Sequence, residues 1–302
     1  MNRLGFTMLE LIFVIVIMGI IGKFGVEFLA QAYRGFIFSN VNHNLQAKGE
    51  MAVESIASRL QYRIKDSIIK RKSADFTSFE AIGTTVPSAE VKDYNILEWI
   101  SSDIDGFRGD SLPFWSGIID LDASSSILLH SPETNTTAID SIIDKLSYGT
   151  AGINNSALYF IGSDTDINNY GWDGNAIQTQ NAVMHPIRST GNIEEFVPRD
   201  GLSNVDNNFS GVDVYEYYQL AWTAYAVGIN DYNNTSNTGT LTLWYNYQPW
   251  EGEVYTDASS SILMENVSTF QFKSVGSVIK IQVCVKSDLV EDYSLCKEKT
   301  IF

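Results

Sequence analysis

The chain contains few of the side chains on which metal-dependent and nucleophilic catalysis usually depends. Its 302 residues include two cysteines and three histidines, and the histidines, His43, His130 and His185, lie far apart. No H-E-x-x-H, C-x-x-C or G-x-S-x-G motif is present, and Gly22-Lys23 lacks the first glycine and the hydroxyl residue of a phosphate-binding loop. The sequence therefore indicates neither a zinc site nor a nucleophilic active site, and we expect that the protein is not an enzyme.

Basic residues are scarce beyond the first quarter of the chain. Residues 1 to 72 contain 10 Lys and Arg against 5 Asp and Glu, whereas residues 73 to 302 contain 10 basic and 31 acidic side chains. A strongly acidic region repels the phosphate backbone of nucleic acids, so we expect no direct nucleic-acid binding. The charge suits cation binding or simple solubility in water.

Proline is absent before Pro87, so nothing in the sequence forces a break in a long N-terminal helix. An uncharged apolar run extends from Leu11 to Gly22, and apolar residues then recur at three- and four-residue spacing from Val41 to Ile68. This pattern predicts one helix from Phe6 to about Lys72. Residues 6–34 would span a membrane, residues 35–72 would form an amphipathic stem, and Lys70-Arg71-Lys72 would be the cationic helix C-terminus.

Glu10 stands at the start of the apolar run, where an ionised carboxylate needs a partner. An unpaired charge at the edge of hydrocarbon is costly, so we expect a cation beside it. Arg3 is close in sequence, but a cleavage after Gly5 would remove it. The free α-amine of Phe6 would then replace it, in the same chain or in a neighbouring copy.

The order Gly5, Phe6, Thr7, Leu9 and Glu10, followed by the apolar run, resembles the class III signal of type IV pilins and type II secretion pseudopilins. The resemblance implies that residues 1–5 are a leader, which a prepilin peptidase removes after Gly5. It also implies that Phe6 is then N-methylated and that Glu10 guides the docking of subunits.

The same resemblance implies a location and a set of partners. Such proteins are held in the bacterial inner membrane by a single helix, and the head, here residues 73–302, lies in the periplasm or on an extracellular fibre. The implied partners are other pilins or pseudopilins through the N-terminal helix, the prepilin peptidase, the inner-membrane assembly platform and a secreted cargo. The stem sequence IASRLQYR and the strand-rich head look most like the large J-type minor pseudopilins of type II secretion systems.

Other interpretations of the N-terminus and of the function stay open. A secretory signal peptide could end at Ala30-Gln31-Ala32, although Glu10, Lys23 and Glu27 fit such a peptide poorly. Residues 6–29 could also be an uncleaved anchor. Alternative functions are a minor pilin of a type IV pilus or DNA-uptake system, and a stand-alone membrane-anchored surface binding protein or enzyme.

From Ser73 onward the pattern changes to short strands and polar loops, which predicts an α+β fold: a pilin-like lollipop whose long helix packs on an enlarged antiparallel β head. In the last predicted strand, residues 278–286, apolar and polar positions alternate, so one face should be buried. The other predicted elements are a helix at 89–100, loops at 103–110 and 163–181, strands at 157–161 and 267–272, and a hairpin of strands 215–229 and 239–247.

The two cysteines, Cys284 and Cys296, both lie in the last twenty residues. In a region outside the cytoplasmic membrane they could form a disulfide, which would add about 3 kcal/mol of stability by chain-entropy arithmetic. Such a bridge resembles the C-terminal disulfide loop of many type IV pilins. The alternative is two free thiols.

The loop GSDTDINNYGWDGN carries alternating oxygen ligands at Asp164, Asp166, Asn168 and Asp173, as a calcium loop does. The EF-hand pattern fails, because its glycine position is Asn169 and its final acidic position is Asn175. The loop is therefore either a weak calcium candidate or a solvated polar loop, and we expect no other cofactor.

One seven-residue sequence, Asp-Ala-Ser-Ser-Ser-Ile-Leu, occurs twice. The copies at 122–128 and 257–263 each begin seven residues after a tryptophan, Trp115 or Trp250. The sequence on either side does not align, so a partial duplication and chance remain equally open.

Overall fold

The computed structural model describes residues 7–163, 165–290 and 293–302. They form a long N-terminal helix followed by a large antiparallel β head, so the predicted α+β lollipop is confirmed. The helices are α1 (Met8–Leu60), α2 (Ile104–Arg108) and α3 (Thr136–Leu146). The strands are β1 (Ile69–Lys72), β2 (Asp75–Ala81), β3 (Tyr94–Ser101), β4 (Asp120–Ser125), β5 (Leu128–His130), β6 (Ala157–Phe160), β7 (Met184–Ser189), β8 (Glu195–Pro198), β9 (Tyr218–Ala221), β10 (Thr223–Asn233), β11 (Thr238–Tyr247), β12 (Ser259–Val275), β13 (Val278–Lys286) and β14 (Ser294–Ile301).

α1 is one continuous helix of 53 residues, about 80 Å long at a rise of 1.5 Å per residue. Its C-terminal half is amphipathic, and Val41, Leu45, Val53, Ile56 and Leu60 are buried against the head. The helix therefore has two parts, one that packs on the sheet and one that projects from it.

The prediction that the helix continues to Lys72 is wrong, because the amphipathic stem predicted over residues 35–72 ends at Leu60. Beyond Leu60 the N–H of Ile64 donates to the carbonyl of Ile100 (2.9 Å), and residues 69–72 form β1 between β2 and β3. Ile64 and Ile68 meet the helical spacing, but they are buried by the sheet. The predicted cationic helix end is thus an inner strand, next to the edge strand β2, in which Arg71 is almost fully buried.

The larger sheet has eight strands in the order β14-β13-β12-β11-β10-β3-β1-β2, and all neighbours are antiparallel. Both faces are covered, since alternate residues of β3 belong to different cores. Leu97 and Trp99 pack under α1, whereas Ile96 and Ile100 pack on the opposite side with Trp172. The predicted helix over 89–100 is therefore wrong, because this segment is mostly a buried strand.

The second sheet has six strands in the order β4-β5-β8-β7-β6-β9, again with antiparallel neighbours. Its inner side chains join the core on the far face of the larger sheet, and α3 packs on it through Ile139 and Ile143. The predicted loop over 103–110 contains the short helix α2, whose first turn is capped by the carboxylate of Asp103.

Most predicted strands are confirmed. Strand 157–161 corresponds to β6, and 267–272 lies inside β12. The hairpin is confirmed as β10 and β11, but its predicted first strand, 215–229, is interrupted at Trp222, and residues 218–221 form β9 of the second sheet. β13 has the predicted bounds, and Ile279, Ile281, Val283 and Val285 are buried as expected. The prediction that the sheet ends with this strand is wrong, because β14 follows it as the edge strand. The charged residues of β14 interrupt the alternation of apolar and polar side chains that would indicate a strand.

The repeated seven-residue sequence adopts two different structures. In the first copy Ser125 pairs with Leu128 across the tight turn between β4 and β5. In the second copy residues 259–263 lie in β12, where Ser260 pairs with Trp244. Identical sequences in different hydrogen-bonding patterns are not a structural duplication of one element.

Candidate functional site

The first part of α1 projects from the head without covering contacts. Every side chain from Met8 to Phe36 is exposed, and the first half-buried position is Ile37. Its most apolar 18-residue window has a mean hydropathy of 2.3, and none of that window is buried. By length and composition this is the one helix, within the part of the chain that the structure describes, that could cross a membrane. It is consistent with single-pass anchoring.

The start of α1 is a capping box built from Thr7 and Glu10. Thr7 has an extended backbone, and its hydroxyl accepts a hydrogen bond from the N–H of Glu10 (3.4 Å). In return, Oε2 of Glu10 accepts hydrogen bonds from the N–H and from the hydroxyl of Thr7, both at 2.8 Å. The carboxylate is thus held at the positive end of the helix dipole.

This geometry leaves half of the carboxylate available. Among the described residues no donor is hydrogen-bonded to Oε1 of Glu10, and the side chain is exposed. A cation from another molecule can therefore bind Glu10 without breaking the capping box. The predicted processing residues Gly5 and Phe6, and the alternative cation Arg3, lie outside the described residues.

The remaining polar features of the projecting part are few. Lys23 and Glu27 form an exposed ion pair at 3.9 Å, one turn apart. A methyl group added at Gly19, Gly22 or Gly25 would contact nothing in this chain. Small residues on an uncovered apolar helix permit close approach of another helix.

The packed half of α1 is held mainly by β14, at the edge of the larger sheet. Lys297 lies 3.0 Å from the carboxylate of Glu50, and Lys299 contacts Glu54 in the same way one turn on. Near the other end of this strand the hydroxyl of Tyr293 donates to Asn42 (2.9 Å). Gly49 allows the two elements to meet, since a Cβ there would lie 3.1 Å from Cγ of Lys297.

The predicted disulfide between Cys284 and Cys296 is present. The two residues are direct cross-strand partners in β13 and β14, so the bond joins the edge strand to the body of the sheet. Because β14 also holds α1, the disulfide connects the stem helix to the head.

The calcium candidates are engaged in local turns. Oδ1 of Asp166 accepts from the backbone and side chain of Asn168, and Asp173 accepts in the same manner from Asn175. Asp164 lies outside the described residues. In the described ranges no group of three or more His, Cys, Asp and Glu side chains could hold a metal ion. Residues 165–181 of the predicted loop are a loop, with one short 3-10 turn over Ile167–Asn169.

Two parts of this arrangement were not predicted from the sequence. The capping box has a sequence signal, since Thr7-Met8-Leu9-Glu10 has the hydroxyl residue and the acid at the required spacing. The contact of α1 with β14 has a weaker signal. Glu50 and Glu54 are four apart, as suits a helix, and Lys297 and Lys299 are two apart, as suits a strand.

A comparison of the chain with known protein families, with curated proteins and with solved structures finds no match. The architecture of the chain is nevertheless pilin-like: a long apolar N-terminal helix is followed by an antiparallel β head.

Proposed function

We propose that this protein is a minor pseudopilin of a type II secretion system, which assembles through α1 and acts at the tip of the pseudopilus or in cargo engagement. The observation that carries the proposal is the uncovered apolar stretch of α1, which begins at Glu10 and continues into a stem packed on the head. An apolar surface of this length is stable only in a membrane or against other helices.

The assembly step is a transfer of this helix from lipid to a bundle of similar helices. Prepilin peptidase cleaves after Gly5, and the new amine of Phe6 on one subunit pairs with Glu10 of its neighbour. The capping box supports this role because it orients the carboxylate and leaves Oε1 open to a cation. The head, which is large relative to the stem, suits a tip subunit better than a repeating fibre subunit.

A minor pilin of a type IV pilus or DNA-uptake system is the second candidate. One observation favours it: the disulfide between Cys284 and Cys296 ties down the C-terminal strand, as in many type IV pilins. The acidic surface argues against uptake by direct contact of the head with DNA.

The first experiment is the mass and N-terminal sequence of the mature protein from its native host. A chain that begins at N-methylated Phe6 supports the proposal. A chain that begins at Tyr33, after Ala32, identifies a secretory signal peptide. An uncleaved chain identifies a simple anchor, and either of these results refutes the assembly mechanism.

The second experiment compares Glu10→Ala with the control Glu27→Ala, since both remove one exposed carboxylate from the same helix. We expect Glu10→Ala to be cleaved normally but to be lost from the cross-linked fibre complex, and Glu27→Ala to assemble. A stand-alone surface protein would tolerate both changes. Co-purification with secretion-system or pilus components distinguishes the two assembly machines.

A further inference from the structure

A cleft lies where α1, the larger sheet and the end of α3 meet. Its volume is about 350 Å³, which is the size of a site for a small ligand. Four aromatic side chains line it, together with aliphatic residues, hydroxyl groups and one pair of opposite charges. The aromatic residues are Tyr148, Trp222, Tyr225 and Tyr245.

Tyr148 is held at the rim of this cleft in a backbone conformation that tyrosine seldom adopts. It follows α3 with φ of 58°, and the N–H of Gly149 donates to the carbonyl of Asp144 (2.8 Å). This hydrogen bond closes a Schellman motif in which Tyr148 occupies the position that glycine usually takes. A bulky residue there is disfavoured, which indicates that the ring serves a purpose.

That purpose is not packing within this chain, because 86% of Tyr148 is exposed. The turn that carries the ring is nevertheless fixed. The amide of Asn246 in β11 donates to Thr150 (2.6 Å) and to the carbonyl of Ser147 (3.4 Å), on either side of Tyr148. The cleft thus has an exposed aromatic ring at its edge, carried by a turn that hydrogen bonds hold in place.

Hydrogen bonds within the protein already orient the main polar group of the cleft, the guanidinium of Arg59. Nη1 of Arg59 donates to the carbonyl and the hydroxyl of Ser55 (2.8 and 2.9 Å), and its guanidinium lies 5.8 Å from the centre of the Tyr225 ring. Asp105 contributes an exposed carboxylate to the same lining, and Ser261 contributes a hydroxyl. The charges of Arg59 and Asp105 cancel, so the lining of the cleft is neutral, although the chain as a whole has a net charge of −16.

We propose that this cleft binds a neutral saccharide. The exposed ring of Tyr148 and the half-buried ring of Tyr245 offer apolar surfaces on which the C–H face of a sugar can stack, while the guanidinium, carboxylate and hydroxyl groups can bond to its hydroxyls. The balanced charge of the lining favours a neutral ligand over an anionic one. The volume is too small for a helix of another protein but suits one or two sugar rings.

This inference does not depend on the proposed assembly function. It is tested with the full-length protein in a micelle of a detergent without a sugar headgroup, because an alkyl glycoside would compete for the cleft. The protein is first applied to an array of neutral oligosaccharides. Maltose, cellobiose, lactose and N,N′-diacetylchitobiose are then titrated individually, with saturation-transfer NMR as the readout.

We expect saturable binding of at least one neutral saccharide. Tyr148→Gly should weaken it by about tenfold or more, because the stacking surface is lost. The same change should leave the melting temperature unchanged or raise it, because glycine relieves the left-handed conformation. Tyr148→Phe should retain binding, and Tyr232→Ala, which removes an exposed tyrosine that does not line the cleft, should have no effect.

Two results would overturn the proposal. One is the absence of saturable binding across the array and the four disaccharides. The other is binding that Tyr148→Gly leaves as tight as in the wild type, which would place the ligand elsewhere. A lower melting temperature for Tyr148→Gly would show that the ring is structural, and this outcome also counts against the proposal.

Discussion

The carboxylate of Glu98 and the guanidinium of Arg71 form an ion pair inside the head, where 0% and 1% of these side chains are exposed. The hydroxyl of Tyr247 donates to the second oxygen of the carboxylate (2.9 Å), and Nη2 of Arg71 donates to the carbonyl of Trp172 (2.9 Å). The four residues come from β1, β3, β11 and the 165–181 loop. The pair therefore joins the larger sheet to the loop that covers its far face.

Replacement of Glu98 by Gln should be strongly destabilising, because it leaves the buried charge of Arg71 without a counter-charge. We expect the free energy of unfolding to fall by about 3–5 kcal/mol. Denaturant unfolding of the full-length protein in detergent measures this change. The control Asp206→Asn breaks the exposed ion pair with Arg188, and we expect less than about 1 kcal/mol there. Equal small effects would mean that water reaches the buried pair.

Removal of the disulfide should loosen the stem as well as the last strand. The double variant Cys284→Ser with Cys296→Ser should lose about 3 kcal/mol of unfolding free energy, because the bond closes a short loop in the unfolded chain. Hydrogen exchange should increase in residues 41–60 of α1, since β14 carries Lys297 and Lys299. Reductant should reproduce the effect in the wild type and leave the double variant unchanged. Unaltered exchange in α1 would show that the helix docks without β14.

The contribution of Asp103 to the free energy of unfolding should increase as the pH falls. Burial raises the pKa of its carboxyl from 3.8 to about 6, although hydrogen bonds from Gly106 and Trp115 oppose the shift. Between these values the folded state binds more protons than the unfolded state, so this contribution is present below pH 3.8 and is lost as the pH rises through 6. It amounts to about 3 kcal/mol. The free energy of unfolding of Asp103→Asn should be measured at several pH values and compared with that of the wild type. We expect the difference between the two to change between pH 3.8 and 6. A constant difference would contradict the prediction.

His185 should have the opposite pH dependence. Burial lowers the pKa of its imidazole from 6.5 to about 3, and Phe160 and Phe209 pack against the ring. Between pH 6.5 and 3 the unfolded state takes up a proton that the folded state does not, so stability is lost as the pH falls. His185→Gln should therefore lose less stability than the wild type on acidification, whatever its stability at neutral pH. NMR titration of the imidazole checks the pKa directly, and a value near 6.5 would refute the assignment.

Local signals in the sequence were sufficient for several features. The apolar run, the absence of proline and the 3.6-residue spacing predicted a long helix, and strict alternation predicted β13 with its observed bounds. These features depend on residues that are close together in the sequence, so the spacing of apolar residues is enough to predict them. The capping box at Thr7 and Glu10 belongs to the same class, although its signal was overlooked.

Contacts between distant segments decided the rest. Ile64 and Ile68 fit the helical spacing, yet the open hydrogen-bonding edges of β2 and β3 make residues 69–72 a strand. The two copies of Asp-Ala-Ser-Ser-Ser-Ile-Leu differ for the same reason, because one copy closes a hairpin and the other pairs with β11.

The sequence by itself determined that this chain has a long apolar helix with a carboxylate at its start, because a helix satisfies its own backbone hydrogen bonds. Only the tertiary structure decided where that helix ends, which strand holds it and which side chains line the cleft beside Tyr148. Those outcomes depend on hydrogen bonds and burial between residues far apart in sequence, and no local pattern encodes them.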